Sequence, residues 1–214
     1  EDGGGGIVPY KYNSKNFINT LQWIIGLELF LLVNDPWRVF LTTDHPNGAP
    51  FTMYPKLFRL LMDFDYRMSE LERTHPEARR YSNLHQIKRC YNLYDISTMT
   101  RAAPAKILGL KKYGSLKAGS VADISVYKYS NNFEKMFSSA YLVFKNGINI
   151  VKKGKITSYR KGKTHYLNLE YRKSICKDIQ TWFDTEYAFD IDNLNVSECF
   201  FSEDNFNKNF SNRI

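Results

Sequence analysis

The apolar run over residues 17–33 reads as a buried helix, with Ser14 placed ahead of it as an N-cap. Asn34, Asp35 and Pro36 predict its end, because Pro36 cannot continue a helix and disfavours helical backbone at Asp35. Residues 38–43 then turn β-branched and aromatic, which predicts a short buried strand. A polar turn, residues 44–50, follows directly. Helical patterning resumes near Pro55, with Leu57, Phe58, Leu60 and Leu61 on its apolar side. Further helices are predicted over 76–91, 93–99 and 104–110. Pro76 and Pro104 suit first-turn positions and Gly109 a closing one.

The pattern changes at Lys111. Residues 121–127 alternate with period two, as a half-buried strand does. Residues 141–145 and 148–151 are two such runs joined by Asn146-Gly147, the strongest short-range hairpin signal. Lys152, Lys153 and Gly154 make a second turn before residues 155–159. An antiparallel β module over 112–170 is therefore predicted, with a helix returning over 171–190 through Ile175, Ile179, Trp182 and Phe183. Helix, strand, helices and then a separate sheet suggest the end of an α/β barrel with an appended sheet.

Composition changes this picture little. With 43% apolar and 24% charged residues, the 214-residue chain is expected to fold, with fraying near the Asn-rich end. The opening Glu1-Asp2 and four glycines lack the basic start and apolar stretch of a targeting peptide, and read as a loop entered from upstream sequence. Residues 17–33 are interrupted by Gln22 and Glu28 and are short for a membrane span. Cys90, Cys176 and Cys199 lie far apart and form no CxxC pair, which fits a reducing, cytoplasmic setting. The net charge of +8 is uneven. Residues 101–173 carry 16 Lys+Arg against 3 Asp+Glu, and the remainder carries 14 against 19. A solvated basic face is the plainer reading of that excess, and nucleic acid is not the favoured partner.

The candidate chemistry is sparse. His45, His75, His85 and His165 form no HxH and no HExxH, and the last three read as surface or packing residues. Asp44 stands out because it follows the predicted strand directly, where barrel enzymes place catalytic groups. A carboxylate there can accept a proton and return it to a leaving group. It can equally cap the turn through an Asx hydrogen bond. Spacing leaves both readings open.

Three segments act as a set: residues 95–110, ending in Pro104-Ala105-Lys106-Ile107-Leu108-Gly109-Leu110; residues 114–124, Gly-Ser-Leu-Lys-Ala-Gly-Ser-Val-Ala-Asp-Ile; and Phe144-Lys145-Asn146-Gly147 with residues 151–156. Together they resemble the tail of the amidohydrolase superfamily. Residues 37–52, with Thr42-Thr43-Asp44-His45-Pro46-Asn47-Gly48 at their centre, are similar to the family of formylmethanofuran dehydrogenase A subunits. Gly5-Gly6-Ile7-Val8-Pro9-Tyr10 and the aromatic helix around Trp182 fit the same family.

The resemblance implies an α/β fold: the C-terminal end of a metal-dependent-hydrolase (β/α)8 barrel over 1–111, a small antiparallel β-sandwich over 112–170, and a terminal helix and tail over 171–214. It implies a binuclear metal site, usually zinc, and interconversion of formate plus methanofuran with N-formylmethanofuran. It places Asp44 at the end of the eighth strand as the catalytic acid/base, with metal contact as a second role, and His45 and Asn47 beside the substrate. Methanofuran as C1 carrier, formate and the other subunits of the complex are the implied partners. The HxH pair, the modified lysine and the further histidines of the family lie on earlier strands, which this sequence does not contain. Asp44 alone cannot satisfy two zinc ions, so this chain by itself is expected to be inactive and metal-poor. Another amidohydrolase acting on C–N bonds, and a non-catalytic basic binding module, are the competing readings.

Overall fold

A computed structural model of the chain describes residues 12–45, 48–162, 165 and 171–194. The chain divides into two compact units, residues 1–159 and 160–214.

The first unit opens with α1 (Phe17–Leu32). Its cap is Asn16 rather than Ser14: the Asn16 side chain accepts from the Asn19 amide at 3.0 Å. Thr20, Ile24, Leu27 and Leu31 recur at spacings of four, three and four and form the buried stripe. A 3-10 turn, Pro36–Arg38, follows, capped by Asp35. The expected strand over 38–43 is not formed among the described residues. Arg38 belongs to the turn, and the backbone beyond it, though extended at Val39, has no partner strand to complete a ladder.

A 3-10 turn (Phe51–Met53) leads into α2 (Tyr54–Met62), which buries Phe58, Leu60, Leu61 and Met62. α3 (Phe64–Leu71) is capped by Asp63. α4 (Pro76–Arg80) has Pro76 in its first turn, as predicted, but stops well short of the expected end. The reason lies in side chains from elsewhere. Glu28 of α1 accepts from Ser82 Oγ at 2.6 Å and the Asn83 amide at 2.7 Å, holding the chain out of helix. The carbonyls of Ile87 and Arg89 serve the Arg67 guanidinium instead of helical amides, at 3.1 and 2.9 Å, and Arg67 also donates to the Leu60 carbonyl at 3.0 Å. Arg67 is fully buried. Arg89 in turn donates to the carbonyls of Leu31, Val33 and Asn34, closing the C-terminus of α1.

α5 (Leu93–Ser97) starts with an Asn92–Asp95 capping box. It runs through a π-helical turn, Thr98–Ala102, into α6 (Ala103–Ile107). Pro104 explains the widened turn. Its ring would collide with the Thr100 carbonyl of a regular helix, and the Ala103 amide bonds to Thr98 instead. The two predicted helices are thus one continuous helical run.

The β module forms one four-stranded antiparallel sheet in sequence order: β1 (Ile124–Val126), β2 (Leu142–Lys145), β3 (Ile148–Lys152) and β4 (Lys155–Ile156). Asn146 and Gly147 both hold positive φ, +49° and +75°, as the tight turn between β2 and β3 requires. Asp123 locks that turn by accepting from the Asn146 amide at 2.8 Å and from Lys145 Nζ. A second sheet, which a sandwich needs, is absent among the described residues.

One element was not anticipated: α7 (Phe133–Phe137), between β1 and β2. It fastens the sheet to the helices. Phe137 meets Phe58 edge-on at 4.8 Å, and Arg59 of α2 pairs with Glu134 at 3.5 Å. In the second unit, α8 (Ile175–Glu186) confirms the predicted return to helix, and Phe183 stacks on Tyr187 at 4.6 Å.

Candidate active-site loop

The Arg89 clamp fixes where the chain leaves α1. From there the backbone is extended at Val39 and continues through residues 40–43 without regular structure to Asp44. Thr43 is buried, and its Oγ1 has no hydrogen-bond partner. Asp44 is exposed and holds φ of +50°, a left-handed conformation uncommon outside glycine but more accessible to Asp than to most residues.

Main-chain bonds close the loop. The Gly48 amide donates to the Asp44 carbonyl and the Ala49 amide to the Thr43 carbonyl, both at 2.8 Å. Asp44's own amide donates to Thr42 Oγ1 at 3.1 Å. Gly48 is essential to this closure. A Cβ there would lie 2.6 Å from the Thr43 carbonyl oxygen and 3.2 Å from the Asp44 Cβ. The Asp44 carboxylate accepts no hydrogen bond from the described residues.

His45 is exposed, and its ring stacks on Phe51 with centroids 4.0 Å apart and 25° between planes. Phe51, itself largely exposed, thus forms a platform for the imidazole. Asn47 lies outside the described residues. Sequence reading singled out Asp44, His45 and Asn47 but missed Gly48 as the close-approach residue and Phe51 as the support. The Gly48 signal was present, four residues after the Asp. The Phe51 contact depends on how the loop folds back and had no local signature.

Two further histidines of the first unit have local roles of their own. His75 Nδ1 caps α4 by accepting from the Glu77 amide at 3.2 Å, and its ring meets Phe17 at 5.7 Å. His85 is exposed in a 3-10 turn. No three His, Cys, Asp or Glu side chains converge among the described residues. A two-metal centre therefore does not fit the described residues alone; Asp44 is a single carboxylate where each zinc needs about four ligands.

Comparison with known proteins places these features. The chain is 38% identical over 200 residues to the A component of the Fhc formyltransferase/hydrolase complex of Methylorubrum extorquens, a match that covers 94% of this chain and 36% of that protein. It is 37% identical over 207 residues to Protein FwdA of Methanocaldococcus jannaschii, covering 91% of this chain and again 36% of the relative. Among solved structures, it is similar to the crystal structure of the formyltransferase/hydrolase complex FhcABCD from Methylorubrum extorquens in complex with methylofuran. The TM-score is 0.83 at 38% identity, over 92% of this chain and 36% of that one. The chain thus spans little more than a third of the relatives it matches. The amidohydrolase family matches residues 3–146, well over half of the sequence, and the chain belongs to that family.

Proposed function

We propose that this chain supplies the C-terminal portion of an amidohydrolase subunit that interconverts formate plus a methanofuran-class amine with the N-formyl amine. One observation carries the reading. Asp44 is pinned in a left-handed conformation by Gly48 and Ala49, while its carboxylate is left without a partner among the described residues. A turn cap onto the Gly48 amide would spend that carboxylate on the loop. Here the Gly48 amide bonds to the Asp44 main-chain carbonyl instead.

In this reading Asp44 acts as general acid/base. It takes a proton from the water that attacks the formyl carbon. As the C–N bond breaks it returns that proton to the amine nitrogen, and formate leaves. The reverse sequence forms the amide. His45, stacked on Phe51, and Asn47 border the substrate. Two divalent ions, zinc by resemblance, would polarise the formyl oxygen. Their ligands, Asp44 apart, would come from portions of the subunit outside this chain. Residues 39–43 would then be the last strand of a (β/α)8 barrel, residues 1–111 its end, and residues 112–170 part of a composite β-sandwich.

The partners in this proposal are the other subunits of a formyltransferase/hydrolase-type complex, with methanofuran and formate as substrates. A cytoplasmic setting agrees with Cys90 and Cys176 as exposed free thiols. Among the described residues no helix is long and apolar enough to cross a membrane. The test is Asp44→Asn placed in a complete subunit, with formamide hydrolysis and bound metal measured together. The proposal expects turnover to collapse while metal content stays near normal. Unchanged turnover overturns it.

A further inference from the structure

A groove that Asp44 does not line crosses the junction of the helices and the β module. It has two adjoining hollows of about 740 and 460 Å3, and Tyr129 belongs to both. The larger is lined by Lys128, Lys135 and Lys153 with Ser130 and Ser139, and no carboxylate lines it. The smaller is apolar, bounded by Met62, Leu93 and Phe133 with the rings of Tyr91 and Tyr94. Tyr94 and Tyr129 are 63% and 72% exposed, so both rings stand open to solvent.

We propose that this groove docks an acidic peptide segment of another polypeptide, with an aromatic side chain of that segment seated among Tyr94, Tyr129 and Phe133. The charge argument comes first. Glu134, the acidic residue of α7, is engaged by Arg59 of α2, and Asp123 is engaged by Lys145 and the Asn146 amide. None of the three groove lysines has a carboxylate partner among the described residues. The nearest compensation is the Tyr141 ring, which Lys128 Nζ covers at 4.4 Å. Three lysines lining one hollow without a carboxylate partner among the described residues favour an anionic occupant.

Shape favours a chain segment over a small molecule. Small-ligand sites enclose most of their ligand, whereas both hollows lie open along one side. Aromatic walls beside a cationic wall match a segment that alternates acidic and aromatic residues. Lys153 adds a further sign. It holds φ of +51° in the turn between β3 and β4, where Asn or Gly would fit with less strain. The lysine at this turn position puts charge at the groove despite the strain. This inference is independent of the hydrolase reading.

The test uses the full chain and a fluorescein-labelled heptapeptide of alternating Glu and Asp with one central Phe, followed by fluorescence anisotropy at about 150 mM salt. Charge reversal by Lys128→Glu with Lys153→Glu is expected to weaken binding by at least about tenfold, and replacing the peptide's Phe with Ala by about fivefold. Lys153→Asn is the control for folding. It should weaken the peptide while raising the thermal midpoint, because it relieves the strained turn. No binding, equal binding by the charge-reversed protein, or indifference to the peptide's Phe each overturns the proposal. So does displacement of the peptide by a single-stranded oligonucleotide that binds the groove more tightly. Since Asp44 is untouched in these variants, failure here is distinguishable from failure of the catalytic reading.

Discussion

Gly48 passes so close to Thr43 that a single methyl group cannot be inserted between them: the added Cβ would sit 2.6 Å from the Thr43 carbonyl oxygen. The obstacle is backbone, so the loop itself must shift. Gly48→Ala in a complete subunit is therefore expected to displace Asp44 and lower turnover by about 100-fold, since ångström misplacement costs that much. Global stability should change little, because the loop is exposed. Turnover and thermal midpoint, measured on the same sample, check this.

Asp44→Asn preserves the size of the side chain and removes its basicity. Loss of one general acid/base group lowers rate by about 10²–10⁴-fold. The expected signature is a fall in kcat with KM and metal content close to the parent values. Asp44→Ala should give a similar fall, because the main-chain amides of Gly48 and Ala49 hold the loop. Loss of folding in the alanine variant would return Asp44 to a structural role.

The isolated chain should carry no stoichiometric metal pair after dialysis, since the described residues bring together no three ligating side chains. Elemental analysis of purified protein checks this. Two equivalents of tightly held zinc per chain, with formamide hydrolysis, would contradict it.

Arg67 holds three carbonyls, those of Leu60, Ile87 and Arg89, from a fully buried position. Burial pulls its pKa below the ordinary arginine value, opposed by Cys90 and Asp63. Arg67→Met keeps much of the volume and takes the guanidinium donor from one buried and two part-buried carbonyls. It should cost about 3 kcal/mol or more in urea denaturation. Arg67→Lys should recover part of this, because an ammonium can donate but cannot reproduce the planar fork.

The helical core should weaken at alkaline pH. Burial raises the phenol pKa of Tyr66 and Tyr91 above the ordinary 10.0. For each, the neutral form is favoured in the folded state. Their stabilising contribution is complete below pH 10 and is lost as pH rises through the folded pKa, because the unfolded chain ionises first. Tyr91→Phe removes its bond to the Phe30 carbonyl. It should cost about 1 kcal/mol at neutral pH and flatten the alkaline decline. Urea midpoints between pH 7 and roughly 11 test both halves.

What the sequence disclosed was mostly local. Asn146-Gly147 dictated its own turn, Pro76 its own helix start, and the alternation around residues 121–127 and 148–151 its own strands. Residues 38–43 form no ladder because extended backbone is local but pairing is not: Val39 adopts β dihedrals with no partner strand among the described residues. Residues 81–91 misled for the opposite reason, since Glu28 and Arg67, distant in sequence, claim their polar groups. α7 is only five residues long and left no periodic trace. Asp44 drew attention from its position after an apolar run, and its role rests on the proposal above; Phe51 as the platform of His45 had no such signal. The groove lysines were visible only as net charge, because nothing in the sequence says that Lys128 and Lys153 line one hollow.

Arg67 and Arg89 form a chain of command. Arg67 grips the Arg89 carbonyl, and Arg89 grips the last carbonyls of α1, from which the chain departs toward Asp44. The loop is thus strung between two roots, Asn34 on one side and the Gly48–Ala49 closure on the other, with its tip at His45. The first root is held by two guanidinium groups buried or half-buried in the helical core. Sequence drift around Arg67, remote from any chemistry, would be transmitted to the tip as a change of bearing.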